Sequence, residues 1–258
     1  MEVTFLAFDI EATVDPAMPV YESKDDRPFP PAPWWIVEVI GTLSANADMH
    51  ARRFSIVTGA REIDRVASFV ATLEKHRPQL LSFNGAGFDV PVIVAACMRH
   101  GIPFPRRFAR DFAYRYSTDG HHDLLDTLAD FGSARRATLD AWARVVGFPG
   151  KLDTTGDDVA GLLAAGERER VECYCLCDVA QTFAIALRDR LVRGMAATAY
   201  QSAAFALLSV IDADARLCDL APHIDRERFL SAVGGATIAQ CEWCETWRFA
   251  SLDCPKCL

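Results

Sequence analysis

The chain has 258 residues, of which 51% are apolar and 24% are charged, and its formal net charge is −8. This composition predicts a globular protein with one sizeable core and a small appendage. An acidic chain has too few cations to wrap a long duplex non-specifically, although bound metal ions can still receive phosphate groups. The apolar start is too short for a membrane span and lacks secretory features, so we expect a cytoplasmic protein with no membrane partner.

The predicted elements begin with a meander of strands and then alternate with helices. Strands are predicted over residues 3–8, 34–43, 51–57 and 80–83, with a loop rich in proline between the first two. Helices are predicted over residues 61–76, 89–100, 122–131, 138–146, 157–165, 167–193 and 196–233. This order predicts an α/β fold in which helices flank a mixed sheet.

Two carboxylates follow the first predicted strand. Asp9 and Glu11 stand two residues apart, and alternation along an extended chain places both side chains on one face. Neighbouring carboxylates repel each other, and a bound divalent cation removes that repulsion. The pair is therefore a candidate metal site, although by itself an acidic end to a strand is the commoner explanation.

Two later stretches carry further aspartates. In the glycine-rich turn at 84–89, Asp89 opens a predicted helix, where it is either a helix cap or a metal ligand. In the long helix, Tyr174 and Asp178 are four residues apart and share a face with apolar residues, which predicts that they point inward. A buried carboxylate needs a partner, either a basic group of the chain or a metal ion.

These motifs together carry a family resemblance. Their order resembles that of the DEDD 3′–5′ exonucleases of the ribonuclease H-like superfamily, in the tyrosine branch: Asp9-x-Glu11, Asn84-x-x-x-Phe88-Asp89 and Tyr174-x-x-x-Asp178. More closely, the chain is similar to the stand-alone exonucleases related to the proofreading domain of family B DNA polymerases. Stretches at 122–126, 147–153 and 174–175 add to the resemblance, which covers roughly residues 1–210. Residues 176 and 177 depart from it, since an acidic residue is expected after Tyr-Cys.

The resemblance implies a ribonuclease H-like domain over residues 1–235 and a metal-dependent exonuclease. It would release nucleotides from the 3′ end of single-stranded or frayed nucleic acid, DNA in preference to RNA. Hard oxygen ligands suit two Mg²⁺ or Mn²⁺ ions. Asp9 is then expected to bridge the ions, with Glu11 and Asp178 completing the nucleophile-side site. Asp89 would hold the second ion, and Tyr174 would orient the attacking water.

Several other residues are candidate contacts for the nucleic acid. Arg106 and Arg107 open a stretch that mixes cations with aromatic rings, which either follows a single strand or forms a solvated loop with buried rings. Lys151, after Gly150, is a candidate phosphate contact. Asn84 and Phe88, in the second acidic motif, are also expected to bind substrate.

The last residues carry a second metal signal. Cys241, Cys244, Cys254 and Cys257 form two CxxC pairs, a spacing typical of a closed tetrahedral zinc site. A redox function for a CxxC pair is the alternative. We expect one structural Zn²⁺ in a zinc-ribbon-like tail at 236–258, which contacts protein or nucleic acid. Three further cysteines, at 173, 175 and 177, are interpreted as core residues that take no part in the site.

Two other functions compete with the exonuclease. A catalytically silent nucleic-acid-binding or scaffold protein could use the same fold, although the four carboxylates and the tyrosine are all present. A phosphatase with an aspartyl nucleophile is suggested by Asp9-x-Glu11-x-Thr13. That class requires a second aspartate where Glu11 stands, and it leaves Tyr174 and Asp178 unexplained.

Overall fold

The computed structural model describes residues 3–23, 29–108, 116–152, 156–241, 244 and 247–250. Its main sheet contains the strands β1 (Phe5–Val14), β2 (Trp35–Ala45), β3 (Ala51–Ile56), β4 (Gln79–Ser82) and β5 (His121–Asp123). Their order across the sheet is β3-β2-β1-β4-β5. The first three strands are antiparallel, whereas β4 and β5 extend the sheet in parallel with β1.

Helices cover both faces of the sheet. They are α1 (Glu62–His76), α2 (Asp89–His100), α3 (Leu124–Leu128), α4 (Leu139–Val146), α5 (Val159–Ala164), α6 (Arg168–Val192), α7 (Ala197–Ala213) and α8 (Arg226–Leu230). The predicted mixed sheet flanked by helices is confirmed, and it fits a ribonuclease H-like arrangement. Within the described residues, no helix is both long enough and apolar enough to cross a bilayer.

Alternation along β1 divides the core in two. Leu6, Phe8 and Ile10 pack with α1 and α2 on one face of the sheet. Ala7 faces the opposite side, where it packs with α6. Since side chains alternate along a strand, Asp9 and Glu11 also face α6. The helix α6 is buried on most of its circumference, because it lies between the sheet and the helices α4 and α7.

Three predicted elements differ from the structure. The first strand does not end before Asp9: it continues to Val14, because the residues beyond Asp9 still pair with β2. The predicted helix at 122–131 is instead the edge strand β5 followed by the short helix α3, since His122 and Asp123 pair with β4. The predicted helix at 196–233 is broken at Asp214 into α7, two single turns and α8.

The end of the described chain packs against α7. Gln201 binds the backbone of Ala236 through both ends of its amide, and a β-carbon on Gly235 would lie 2.7 Å from that side chain. A hairpin follows, made of β6 (Ile238–Gln240) and β7 (Trp247–Phe249). Ile238 and Trp247 pack against the core that surrounds α6.

The contact between β2 and α6 requires a residue without a side chain at Gly41. A β-carbon there would lie 2.8 Å from Cys175 Sγ and 3.3 Å from Val179. We expect Gly41→Ala to lower the free energy of unfolding by about 1–3 kcal/mol in urea titrations, the usual cost of overpacking. In the control Gly161→Ala, the new methyl group meets open space on α5, so stability should be unchanged or slightly higher. Equal stability of Gly41→Ala and the wild type would contradict this account of the contact.

Candidate active site

The strand β1 places Asp9 and Glu11 under α6. Glu11 is 7% exposed, and no hydrogen bond from the described residues reaches its carboxylate. Asp9 is partly buried, and its carboxylate lies 3.7 Å from Cys175 Sγ. A register shift between Glu11 and Ala12 follows directly, so the pairing with β2 is regular through both acidic residues and irregular just beyond them.

The second acidic motif reaches the same strand. Asp89 is the first residue of α2, after the N-cap residue Phe88, and its carboxylate Oδ1 accepts a hydrogen bond from the backbone N–H of Ile10, at 3.1 Å. The turn before it contains Asn84 in the left-handed conformation, with φ of 68°. Asp123 anchors this turn, since its carboxylate accepts the N–H groups of Asn84 and Ala86, each at 2.9 Å. The turn at 84–89 is thereby held by β1, through Ile10, and by β5, through Asp123.

The third motif comes from α6. Asp178 is buried, and Tyr174 lies one turn earlier on α6, close enough to lower the pKa of the Asp178 carboxylate. The amide nitrogen of Gln181 lies 3.4 Å from Asp178 Oδ1, whereas the amide oxygen of Gln181 is buried without a hydrogen-bond partner. The inward orientation predicted for this face is therefore confirmed. The orphaned amide oxygen leaves an acceptor beside the carboxylates for a bound molecule.

Electrostatic interactions connect the four carboxylates. Burial and the charges of Asp89, Glu11 and Asp178 raise the pKa of Asp9 well above its usual value. Burial and the charges of Asp178 and Asp89 do the same to the pKa of Glu11. Burial raises the pKa of Asp89 to about 7, against the hydrogen bonds it accepts. Burial also raises the pKa of Asp178 to about 6, although Tyr174 and Lys151 oppose the shift.

Such a cluster fits divalent cations. Burial raises the pKa of all four carboxylates, and the charges of Asp89 and Asp178 raise the pKa of Asp9 and Glu11 further; a cation among them would remove both costs. In the described part of the chain, one group of three potential ligand atoms lies within 4.8 Å of one another, on Asp9, Glu11 and Cys175. Asp178 and Asp89 lie outside this group, although their charges act on it. Oxygen donors of this kind suit Mg²⁺ or Mn²⁺.

Tyr174 and Lys151 border the carboxylates on the side of a cleft. Burial and the charges of Asp178, Glu11 and Asp9 raise the pKa of Tyr174 far above its ordinary value, so its hydroxyl stays protonated. The positive charge of Lys151 lowers the pKa of Glu11 and of Asp178, which places the ammonium group within electrostatic reach of both. The cleft has a volume of about 750 Å³, and its lining includes Lys151, Tyr174, Asp178, Gln181, Arg170 and Arg216.

The other candidate substrate contacts are divided between two places. Phe88 precedes Asp89 and packs edge-on against Trp35, with ring centroids 5.3 Å apart, so it stays near the carboxylates. Arg106 and Arg107 lie elsewhere. Arg107 binds the carbonyl of Asp119 and lies against Gly120, just before β5, at the end of the parallel strands opposite to Asp9. The structure does not bring these two arginines to the carboxylates.

Three residues near the site were not assigned to it from the sequence. Cys175 was interpreted as a core residue without a function, and it is buried, but its Sγ lies 3.5 Å from the carbonyl oxygen of Asp9. Gln181 follows Asp178 by three residues, a helical spacing that could have indicated it. Asp123 lies in the stretch 122–126 that adds to the resemblance, and its contacts with Asn84 and Ala86 depend on the pairing of β4 with β5.

The predicted zinc ligands are described only in part. Cys241 is 4% exposed and Cys244 is half-buried, and both lie between β6 and β7 in the sequence. Cys254 and Cys257 lie outside the described residues. The four-thiolate site and the zinc-ribbon-like tail therefore stay predictions.

The buried carboxylates impose a cost on folding that depends on pH. Because the pKa of Asp178 is raised from 3.8 to about 6, the metal-free protein loses stability as pH rises through this interval. An amide cannot ionise, so we expect Asp178→Asn to raise the free energy of unfolding at pH 8 by on the order of 1–3 kcal/mol, and by less at pH 5. Chemical unfolding in EDTA at both pH values measures this.

A residue on α4, Asp140, provides a control for which the opposite change in stability is expected. Arg144 and the Lys151 backbone N–H lower the pKa of Asp140, so Asp140→Asn should cost some stability at pH 8 rather than add it. If Asp178→Asn were also less stable than the wild type at pH 8 without metal, the cost of burying the ionised Asp178 carboxylate would not be the dominant energy at this position.

A comparison with known proteins agrees with this geometry. A family model described as a predicted 3′–5′ exonuclease related to the exonuclease domain of PolB matches residues 28–230. The match begins after Asp9 and Glu11 and includes Asp89, Tyr174 and Asp178. No curated protein matches the chain at a significant level. With about four fifths of its length matched, on a mixed sheet that gathers the motif residues, the chain belongs to this family of predicted 3′–5′ exonucleases.

Proposed function

We propose that the protein is a metal-dependent 3′–5′ exonuclease that releases nucleotides from single-stranded or frayed nucleic acid, with DNA preferred over RNA. The observation that carries this proposal is the convergence of four carboxylates and one tyrosine from β1, α2 and α6. Each carboxylate has a raised pKa, which is the electrostatic state that a divalent cation would relieve. Two Mg²⁺ or Mn²⁺ ions would supply an activated water and stabilise charge on the attacking and leaving oxygens.

The residues divide this work by their positions. Asp9 would be shared between the two ions, because the charges of the other three carboxylates all act on it. Glu11 and Asp178 would hold the ion beside the attacking water, and Asp89 the other. Asp89 is fixed for this purpose by the N–H of Ile10, which keeps one carboxylate oxygen directed at β1. The preorganised ligands lower the reorganisation needed when the transition state forms.

Tyr174 and Lys151 have different tasks. Because the hydroxyl of Tyr174 stays protonated, it can donate to Asp178 and accept from the attacking water, but it cannot remove a proton from that water. Its role is therefore to orient. Lys151 carries positive charge close to Glu11 and Asp178, a suitable position for a contact with a phosphate oxygen. This contact would help to offset the repulsion between the acidic protein and its anionic substrate.

The cleft beside Tyr174 supports a polymeric substrate. Its lining includes Asp178, Gln181 and the side chains of Arg170 and Arg216, and its volume of about 750 Å³ exceeds what a single metal-bound water requires. Phe88 offers an aromatic ring directly before Asp89. Asn84 borders the same turn, with its backbone held by Asp123.

The proposal is tested with a 5′-labelled single-stranded DNA and the matching RNA, in Mg²⁺ or Mn²⁺. We expect stepwise shortening from the 3′ end, faster for DNA, and no shortening in EDTA. Asp178→Asn should lower the rate at least about a hundredfold, since a lost metal ligand removes several kcal/mol of transition-state stabilisation. Glu172→Gln is the control on the same helix, where the carboxylate pairs with Arg168 instead, and it should keep the wild-type rate.

Two outcomes would contradict the proposal. One is binding of equal strength by the wild type and Asp178→Asn without shortening by either, which would indicate a silent binding protein on this fold. The other is shortening that continues unchanged in EDTA, which would show that the carboxylates do not act through a metal ion.

We also propose that residues 236–258 form a zinc-binding tail beside an exonuclease domain at 1–235. Cys241 and Cys244 lie between two antiparallel strands, a typical position for one CxxC pair of such a site. Cys254 and Cys257 would supply the other two thiolates, and zinc binding would then be coupled to folding of the tail. The tail would serve as a contact surface for protein or nucleic acid.

Elemental analysis tests the tail directly. We expect about one Zn²⁺ per chain in the purified protein, because four thiolates form a closed tetrahedral site. Cys241→Ser and Cys257→Ser should each lose most of this zinc, whereas Cys218→Ser, an exposed cysteine outside the tail, should keep it. Zinc retained in both tail variants, or lost equally in Cys218→Ser, would contradict the assignment.

A further inference from the structure

One thiol lies within the carboxylate cluster itself. The Sγ atom of Cys175 is 3.7 Å from Asp9 Oδ2 and 3.5 Å from the Asp9 carbonyl oxygen. Potential ligand atoms on Asp9, Glu11 and Cys175 all lie within 4.8 Å of one another. In the part of the chain that the structure describes, this is the group of three that could hold a metal ion, and it contains a sulfur as well as oxygens.

The packing around Cys175 keeps this sulfur in place. The residue is fully buried on α6, among Val39, Val159 and Val171. On the side of β2, a β-carbon on Gly41 would lie 2.8 Å from Sγ, so the sulfur occupies the space that a side chain at this position would take. Gly41 in turn pairs with Asp9 across the strands. The thiol is therefore held against Asp9 by the fold.

Glu11 is the second member of the group. It is 7% exposed, and no hydrogen bond from the described residues reaches its carboxylate. A carboxylate that is buried in this way costs several kcal/mol unless a cation or donor meets it. Its position beside Cys175 and Asp9 indicates a ligand between the three side chains.

We infer that Cys175, Asp9 and Glu11 form a mixed sulfur–oxygen site for thiophilic divalent ions such as Zn²⁺ and Cd²⁺, which compete there with Mg²⁺ or Mn²⁺. The competition follows because both kinds of ion use Asp9 and Glu11, while only thiophilic ions gain from a thiolate. On binding, the Cys175 S–H bond breaks, its electron pair forms the sulfur–metal bond, and the proton leaves to solvent. The consequence for catalysis, inhibition by thiophilic ions, rests on the proposed exonuclease function.

The test adds Cd²⁺ to the full chain as purified and adds no Zn²⁺, because Zn²⁺ would occupy the same three ligands. The signal is the ultraviolet sulfur-to-cadmium charge-transfer band, which does not depend on activity. The difference between the wild-type and Cys175→Ser spectra should contain this band, since the other thiols are the same in both proteins. The band should saturate at about one Cd²⁺ per chain. Cys177→Ser, which removes a half-buried thiol of the same helix, is the matched control and should show the wild-type band.

Affinity separates the two kinds of ion. We expect Cys175→Ser to weaken Cd²⁺ binding at least about tenfold in competition with a chromophoric chelator. Loss of a residue that only orients a metal ligand typically costs about tenfold or more, and Cys175 would bind the ion directly. Mn²⁺ affinity should change much less, because Mn²⁺ prefers oxygen ligands. A Cys175→Ser spectrum equal to the wild-type spectrum would overturn the inference.

A measurement on the wild type alone tests the inference even if the Cys175→Ser variant does not fold. Excess Mn²⁺ should remove a part of the Cd²⁺ band, because the ions share Asp9 and Glu11; a band that Mn²⁺ leaves unchanged would overturn the inference. Shortening of labelled DNA with Mg²⁺ is followed in parallel. Mg²⁺-dependent shortening without a Cys175 band would refute the mixed site and leave the exonuclease intact. A Cys175 band without shortening would refute the exonuclease and leave the mixed site intact.

Discussion

Repulsion among buried carboxylates is the constraint on which this structure depends. The four carboxylates come from one strand and two helices: Asp9, Glu11, Asp89 and Asp178. The charges of their neighbours raise the pKa of Asp9, Glu11 and Asp89. Water is largely excluded from three of them, so the charge cannot be screened by solvent. A fold that gathers such groups gives up stability in the metal-free state. That cost is the physical reason for assigning the site to a cation.

The scaffold resists this repulsion through contacts that do not neutralise charge. The N–H of Ile10 holds Asp89 from the sheet side, and Asp123 holds the turn that carries Asp89 through the N–H groups of Asn84 and Ala86. The helix α6 is fixed by packing on both the sheet and α7, which leaves Asp178 little freedom to move toward solvent. The ligands are thus positioned before any ion binds, which is the arrangement that electrostatic catalysis requires.

The same close packing gives the site its sulfur. Gly41 lets α6 approach β2 closely enough for Cys175 to touch Asp9, so one small residue controls both the stability of the layer and the ligand chemistry beneath it. A chain that is proposed to bind oxygen-preferring ions at its carboxylates and zinc in its tail must keep the two kinds of ion apart. Because Cys175 lies beside Asp9, the two kinds of ion must be distinguished at the carboxylates as well as in the tail.

The sequence by itself determined the strands β2, β3 and β4 and most helices, because their apolar periodicity is local, and α2 begins and ends where the pattern predicted. It also identified the four carboxylates and Tyr174, since motif order and helical spacing can be read along the chain. Only the tertiary structure decided that β1 continues through Asp9, that His121–Asp123 is an edge strand, and that Arg107 lies away from the carboxylates. Strand pairing and the contacts of Cys175 and Gln181 join residues distant in sequence, and packing of this kind has no local signal.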